Sequence, residues 1–304
     1  MTAEPEFPLH AKLSLALDAA CGPARVPEGR GGYIFVDGTL HRIMDIKQPL
    51  NGASGFAYSV NEKELTHLCA HLDVTTLGFK GLRTTTIAPL QQLHRLAYLS
   101  LWWVQKLADL SPLSDMALDV LVLDDIRYAQ DIAPVSATAQ LRALTIAGGM
   151  NTTQMIDTLE PLTKLAHLCE LRMMAVKLGD DSLRPLARCS ALRDLNLPNT
   201  FQTEDYAYLR AKCPTLRCTT LAAHQKAGYV SDGKDIMVTG RRKPFLSSSK
   251  DAVRLAKYEA QFDALVAKHH AADTVDRNGH QGKPPAQTGW GRAADAEVCP
   301  TRDT

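Results

Sequence analysis

The sequence lacks an excess of charge of either sign. Its 304 residues contain 34 lysines and arginines against 33 aspartates and glutamates, a formal net charge of +1 at pH 7. A chain this close to neutral has no overall electrostatic attraction for nucleic acid or for an acidic membrane. Nucleic acid is therefore not the expected partner, and only local basic clusters need separate attention.

Long apolar runs are also missing. No stretch approaches the roughly 18 residues that a membrane-spanning helix needs. The first residues are acidic and prolines precede the short apolar run 13–20, which is not the pattern of a secretory signal. The seven cysteines are odd in number and irregularly spaced, as in reduced proteins. We expect a cytoplasmic protein with free thiols and no membrane partner.

Signatures of catalysis and of metal binding are equally scarce. His67, Cys69 and His71 form an H-x-C-x-H motif, but residues two apart on a helix do not face each other. Gly148 and Gly149 lack the spacing of a phosphate-binding loop. No Ser/His/Asp set or pair of carboxylates stands out from the rest of the chain. We expect no catalysis, no cofactor and no metal site.

What the sequence does contain is a repeat of the form L-x-x-L-x-L. It is clearest at Leu96, Leu99 and Leu101. Copies begin at positions 74, 96, 118, 141, 168, 192 and, more weakly, 216. A proline lies six or seven residues before five of these starts, at positions 89, 112, 134, 161 and 185. Two landmarks in one phase identify a stack of similar units.

The pattern resembles that of leucine-rich repeat proteins of the bacterial type. The resemblance covers about residues 64–218 and implies an α/β solenoid. In this fold a parallel β-sheet lines the concave face, short helices or turns form the convex face, and capping elements close both ends. The asparagine usual at position nine of each repeat is missing, so the turn after each strand must be held by packing or by backbone bonds.

The flanks of the repeats predict caps and tails. Residues 1–31 are expected to form a flexible arm, with at most a short helix over 11–20. Residues 32–73 predict an N-terminal cap, with a hairpin around Asp37-Gly38 and a helix capped by Asn61 and Glu64. The predicted repeats occupy residues 74–221. A hairpin and helix cap over 222–271 and a disordered tail over 272–304 follow.

The concave face is the predicted binding surface. Alternation along each strand sends the repeat leucines to the core and the intervening residues outward. Aromatic residues and arginine are enriched where proteins bind one another. The nine partner-binding candidates are Tyr98, Trp102, Asp124, Arg142, Glu170, Arg172, Arg193, Asp194 and Asn196. Trp102 is expected to face outward, whereas Trp103 is expected to pack over the edge between repeats.

These features predict a non-catalytic module that binds another protein on the concave face. Two alternatives remain open. The repeats could belong to an adaptor, or to an effector delivered into another cell, that presents a substrate to a separate enzyme. Alternatively, the basic cluster Gly240–Pro244 could bind a ligand or a nucleic acid. Binding that weakens steeply with salt would favour the last reading.

Overall fold

The computed structural model of the protein describes residues 7–21, 31–104 and 106–278, without the side chains of 228–231 and 272–278. The four α-helices of this part are α1 (Pro8–Ala20), α2 (Glu62–Cys69), α3 (Thr203–Lys212) and α4 (Ala252–Asn278). The strands are β1 (Tyr33–Val36), β2 (Thr39–Arg42), β3 (Leu50–Asn51), β4 (Ser54–Tyr58), β5 (Leu72–Asp73), β6 (Thr76–Lys80), β7 (Tyr98–Trp102), β8 (Val120–Asp124), β9 (Ala143–Ala147), β10 (Gln154–Ile156), β11 (Glu170–Met174), β12 (Val176–Leu178), β13 (Asp194–Asn196), β14 (His224–Ser231), β15 (Lys234–Val238) and β16 (Phe245–Leu246).

The main sheet has nine strands in the order β13-β11-β9-β8-β7-β6-β4-β1-β2. From β4 to β13 neighbouring strands are parallel, and the same repeat position pairs across each pair, as in Leu99↔Leu121 and Leu121↔Leu144. The leucines at positions four and six of the repeat point to the core, where Leu99, Leu121 and Leu144 are fully buried. This is the leucine-rich repeat solenoid that the sequence predicts.

The prolines of the repeat begin short 3-10 helices on the side of the core away from the sheet. A proline has no N–H to lose at the first turn of a helix, so it fits this position. These short helices are Ala88–Gln92, Ser111–Asp115, Ala133–Ala137, Glu160–Lys164 and Arg184–Arg188. Each therefore marks the return of the chain towards the next strand.

Backbone bonds take the place of the missing asparagine ladder. The residue after each of four successive strands has a positive φ: Ser59 (52°), Gly81 (76°), Trp103 (61°) and Asp125 (52°). Each N–H donates to the carbonyl of the last residue of the next strand, at 2.8–3.0 Å. The left-handed turn therefore links each of these repeats to its neighbour without a side chain.

The N-terminal cap has the predicted hairpin and helix. Asp37 and Gly38 both have a positive φ between β1 and β2, as a two-residue hairpin turn requires. The Asn61 side chain accepts from the Glu64 N–H, and the Glu64 carboxylate accepts from the Asn61 N–H, at 3.0 and 2.9 Å. The parallel strands begin with β4, one strand before the repeat at position 74 that the sequence identifies as the first.

The C-terminal end differs more from the sequence expectation. The weak repeat copy at position 216 forms no strand, only a single bridge between Asp194 and Arg217. The helix α3 precedes this bridge, inside the stretch expected to hold repeats, and contacts the 3-10 helix Arg184–Arg188 on one side and α4 on another. Beyond α3, β14, β15 and β16 form a small antiparallel sheet. The backbone of α4 continues to Asn278, and the part of the expected tail from residue 279 lies outside the described residues.

Candidate functional site

The helix α1 lies on the sheet face opposite the core, which is the concave face of a leucine-rich repeat arc. Leu9 and Leu13 are 2% and 3% exposed and pack against Val120, Ala143 and Cys169. Residues four apart on a helix lie on one face, so both leucines meet the sheet together. The structure thus differs from the expected flexible arm, of which residues 1–6 and 22–30 lie outside the described residues.

Glu170 on β11 caps the start of α1 across 160 residues of sequence. Its Oε1 accepts from the Leu9 N–H at 2.9 Å, and its Oε2 accepts from the His10 N–H at 3.2 Å. The same Oε2 accepts from His10 Nδ1 at 2.7 Å, so this nitrogen carries the hydrogen. A carboxylate is favourable at a helix N-terminus because it meets unpaired N–H groups and the positive end of the helix dipole. Glu170 is 2% exposed, and this contact occupies its carboxylate.

Other residues of α1 lie against outward residues of β6 and β7. The Lys12 ammonium lies 5.5 Å from the centre of the Tyr98 ring. A Cβ on Gly78 would lie 2.9 Å from Leu17 of α1 and 2.4 Å from Phe56. Gly78 therefore leaves space for the Phe56 ring and for the approach of α1 to the sheet.

A row of outward-directed positions lies at the carboxyl ends of the strands, where Ala147 is buried and the other five residues are half-buried or exposed. We call it the carboxyl-end row; it consists of Tyr58, Lys80, Trp102, Asp124, Ala147 and Met174, paired in this order across the sheet. A cavity of about 400 Å³, called the groove below, lies between this row and α1. Its floor comes from the outward residues two positions earlier on the same strands, among them Ser100, Val122, Thr145 and Arg172.

Trp102 and Trp103 share one cation at the mouth of the groove. The Lys80 ammonium lies 4.7 Å from the Trp102 ring centre and 5.1 Å from that of Trp103. The two rings are 5.7 Å apart and 37% and 45% exposed. Trp103 is therefore at least as open as Trp102, unlike the edge-packed residue that the sequence predicts. Its left-handed backbone turns its ring back towards the strand end.

Asp124 lines the groove beside Trp102, and its carboxylate has no hydrogen bond or ion pair among the described residues. Burial raises the pKa of Asp124 to about 6, and the neighbouring Asp125 carboxylate adds to the rise. Asp125 itself is bonded to Arg127 Nε at 3.1 Å and to the Thr152 hydroxyl at 2.8 Å. The groove thus holds one half-buried carboxylate that the protein leaves uncompensated.

Replacing Asp124 with asparagine should stabilise the protein at pH 7. Because the folded-state pKa is raised, folding favours the protonated form, and the contribution of Asp124 to the stability of the wild type falls as pH rises from about 4 to about 6. Above that window we expect Asp124→Asn to gain about 2 kcal/mol, a figure already reduced for the solvent that reaches this side chain. Urea denaturation at pH 7 and pH 4 measures the difference, which should vanish at pH 4.

Asp109→Asn is the matched control for that change. Asp109 is exposed, and hydrogen bonds from Ser111 lower its pKa. Its replacement should therefore give no gain at pH 7. An Asp124→Asn protein that is no more stable than the wild type at pH 7 would show that burial does not destabilise the Asp124 carboxylate.

The structure divides the nine predicted site residues into three groups. Three line the groove: Trp102, Asp124 and Arg172. Two lie beneath α1, and they are Tyr98 and Glu170. Four lie elsewhere: Arg142, Arg193, Asp194 and Asn196.

The last group lies away from the groove. Arg142 and Arg193 each precede their strands by one residue and do not line the groove. Asp194 is 3% exposed and bonds Arg217 at 2.6 Å, so it serves the end of the repeat stack. Asn196 lies on the last parallel strand, at the edge of the sheet.

Sequence reasoning missed the contribution of α1 to the groove. His10, Leu13, Ser14 and Asp18 form one of its walls. The available signal was the spacing of Leu9, Leu13 and Leu17, one apolar residue every four, which is typical of a helix with one buried face. The spacing indicates burial but does not indicate the surface on which the helix docks.

The basic cluster Gly240–Pro244 has a structural role. The Arg241 guanidinium pairs with Asp181 and donates from Nε to the Thr200 carbonyl at 2.8 Å. The Lys243 ammonium lies 5.5 Å from the Tyr258 ring centre on α4. Two of the basic side chains thus hold the C-terminal hairpin to its neighbours.

The described residues also show the possible metal ligands, the state of the cysteines and the hydropathy of the helices. Among the described residues no group of His, Cys, Asp and Glu could hold a metal ion. The six cysteines of that part are free; Cys69 is buried, and this raises the pKa of its thiol to about 12. No helix in the described ranges is long and apolar enough to cross a membrane.

Among known proteins, solved structures are similar to this chain in fold. No protein-family model and no curated protein matches the chain. Similar solved structures include internalin C2 from Listeria monocytogenes, 21% identical with a TM-score of 0.41, over 55% of this chain and 70% of that one. Another internalin of that species, inlF, is 20% identical with a TM-score of 0.35, over 52% of this chain and 49% of that one. The chain thus spans about half the length of the second internalin.

Proposed function

We propose that the protein is a non-catalytic interaction module that binds a segment of another protein in the groove. The carrying observation is the carboxyl-end row, which keeps Trp102 and Met174 37% and 43% exposed beside the uncompensated Asp124 carboxylate. Exposed aromatic and methionine side chains next to a cleft are enriched at protein-binding surfaces. Because α1 covers outward residues at the amino side of the sheet, we expect the partner to contact the groove and its rim.

The dimensions of the groove favour an extended segment. It runs across the sheet from Tyr58 on β4 to Met174 on β11, a span of five strand spacings or about 24 Å. Six or seven extended residues cover that length. A partner segment of this size would place side chains against Trp102 at the middle of the groove and against Arg172 near one end.

Trp102→Ala tests this proposal. A partner captured with the wild-type protein would be titrated against the purified variants, and its Kd measured. Loss of a central aromatic contact typically costs at least about 1.4 kcal/mol, so we expect the Kd to rise tenfold or more. Tyr128→Ala is the matched control, because Tyr128 is 67% exposed and does not line the groove.

The control variant should bind within about twofold of the wild type. Equal Kd values for Trp102→Ala and Tyr128→Ala would place the partner outside the groove and would refute the proposal. An unchanged circular dichroism spectrum for both variants would show that the comparison concerns binding and not folding.

A further inference from the structure

Three polar atoms at one end of the groove have no hydrogen-bond partner. They are His10 Nε2, Thr145 Oγ1 and Arg172 Nε, each inaccessible to solvent and unpartnered among the described residues. His10 and Thr145 are 5% and 6% exposed as whole residues, and all three side chains line the groove. A buried polar group without a partner costs about 1–3 kcal/mol, so three such residues along one cavity make it a candidate binding site for a polar group.

The fold places these three residues next to one another. Thr145 on β9 and Arg172 on β11 are paired residues of adjacent parallel strands, whose backbones lie about 4.8 Å apart. His10 is bonded to Glu170, which precedes Arg172 by two residues and so faces the same side of β11. The α1 helix and the sheet therefore form two walls of one polar corner.

The corner offers hydrogen-bond donors and a positive charge. The Arg172 guanidinium makes no ion pair among the described residues and instead lies 5.1 Å from the centre of the Phe7 ring. The Thr145 hydroxyl can donate. His10 Nε2 accepts in the neutral ring, whose hydrogen lies on Nδ1, and donates only when both ring nitrogens carry hydrogen. The nearest carboxylate, that of Glu170, is already bound by two N–H groups and by His10 Nδ1.

We infer that Thr145, Arg172 and His10 form a carboxylate-binding subsite of the groove. The carboxylate is an acidic side chain or the chain end of the bound segment, and this assignment of its source rests on the proposed function. A singly charged group suits the corner better than a doubly charged one, because the Arg172 guanidinium attracts it and the Glu170 carboxylate beside it repels a single charge less. A phosphate carries up to two charges and would lie beside the Glu170 carboxylate, where like charges repel.

Acetate and inorganic phosphate test the subsite without any partner protein. The Nε–H resonances of arginine would be followed by NMR while each anion is added at constant sodium concentration, and Arg172→Gln would identify the Arg172 signal. We expect a saturable shift of that signal with acetate and weaker binding of phosphate. Thr145→Val, which keeps the shape, should raise the acetate Kd about fivefold.

Thr163→Val is the matched control, because the Thr163 hydroxyl is exposed and donates to the Glu160 carbonyl outside the groove. It should leave the acetate Kd unchanged. A change of the Arg172 chemical shift that grows linearly with acetate concentration would overturn the subsite. An equal change in Thr145→Val and in the wild type would also overturn it. Tighter binding of phosphate than of acetate would overturn its assignment to a carboxylate.

The two proposals fail separately. Saturable acetate binding at Arg172 together with a partner Kd indifferent to Trp102→Ala would leave the subsite standing and refute the proposed function. A partner Kd that rises in Trp102→Ala, without saturable acetate binding at Arg172, would support the proposed function and refute the subsite.

Discussion

Replacing Glu170 with alanine is expected to release α1 from the concave face. The change removes the acceptor of three hydrogen bonds, from the N–H groups of Leu9 and His10 and from His10 Nδ1. All three donors are bonded to a charged group in the wild type and would be left unpaired in a buried site. We expect their loss to reduce the free energy that holds α1 on the sheet by about 3 kcal/mol. Amide hydrogen exchange over residues 7–21 should accelerate roughly a hundredfold.

The central strands should keep their protection in that variant, because the Leu121 and Leu144 rows pack independently of α1. Glu160→Ala is the matched control. Glu160 pairs with Arg188 on the surface, where both side chains are more than half exposed, and such pairs contribute about 1 kcal/mol or less. Equal exchange rates of α1 in the two variants would contradict the capping role of Glu170.

Gly148→Ala is expected to have an effect of similar size on global stability. A Cβ at this position would lie 2.4 Å from the Thr152 carbonyl oxygen, 2.6 Å from that of Ala175 and 2.8 Å from the Gln154 nitrogen. All three are backbone atoms, so no side chain can move aside. We expect a loss of about 3 kcal/mol or more in the free energy of unfolding, measured by urea denaturation.

Gly233→Ala separates this steric effect from the general cost of replacing a glycine. Gly233 has a φ of 71°, and a Cβ added to it would meet no atom within 4 Å. Its replacement should therefore cost only about 1 kcal/mol, from the left-handed backbone alone. Equal losses in the free energy of unfolding for Gly148→Ala and Gly233→Ala would contradict the close packing of backbone atoms around Gly148 in the turn after β9.

The repeat could be predicted from sequence because its signal is local and recurs. Leu99 and Leu101 are two residues apart, and the same spacing returns in each unit. Each copy therefore supports the same assignment of inward and outward positions. The first parallel strand escapes the pattern because β4 carries Gly55 and Ala57 at the inward positions where other repeats have larger apolar residues. Small residues there do not match the repeat, although the backbone pairs in the same way.

The docking of α1 could not be predicted because it depends on a contact across 160 residues. The sequence shows that Leu9 and Leu13 lie on one helical face, but many apolar surfaces could receive that face. Glu170 selects this one, and in the sequence it is an isolated glutamate at an outward position, as an open binding residue would be. The sequence therefore indicates the outward orientation of Glu170 but not the helix that contacts its carboxylate.

The presence of α1 changes what the concave face can bind. A bare sheet would offer all its outward residues to a partner, whereas here the helix covers those at the amino side and supplies His10 to the groove. The binding surface is thereby narrowed to the groove and the carboxyl-end row. We expect α1 to be a permanent wall of the site that stays in place when the partner binds.

Hydrogen exchange of the protein with and without its captured partner tests the permanence of α1 most directly. We expect slower exchange in the turns that follow the carboxyl-end row, at residues 81 and 103, together with unchanged or slower exchange over residues 8–20. Faster exchange over residues 8–20 in the complex would show that the partner displaces α1, and the helix would then be a cover of the concave face and not a wall of its binding site.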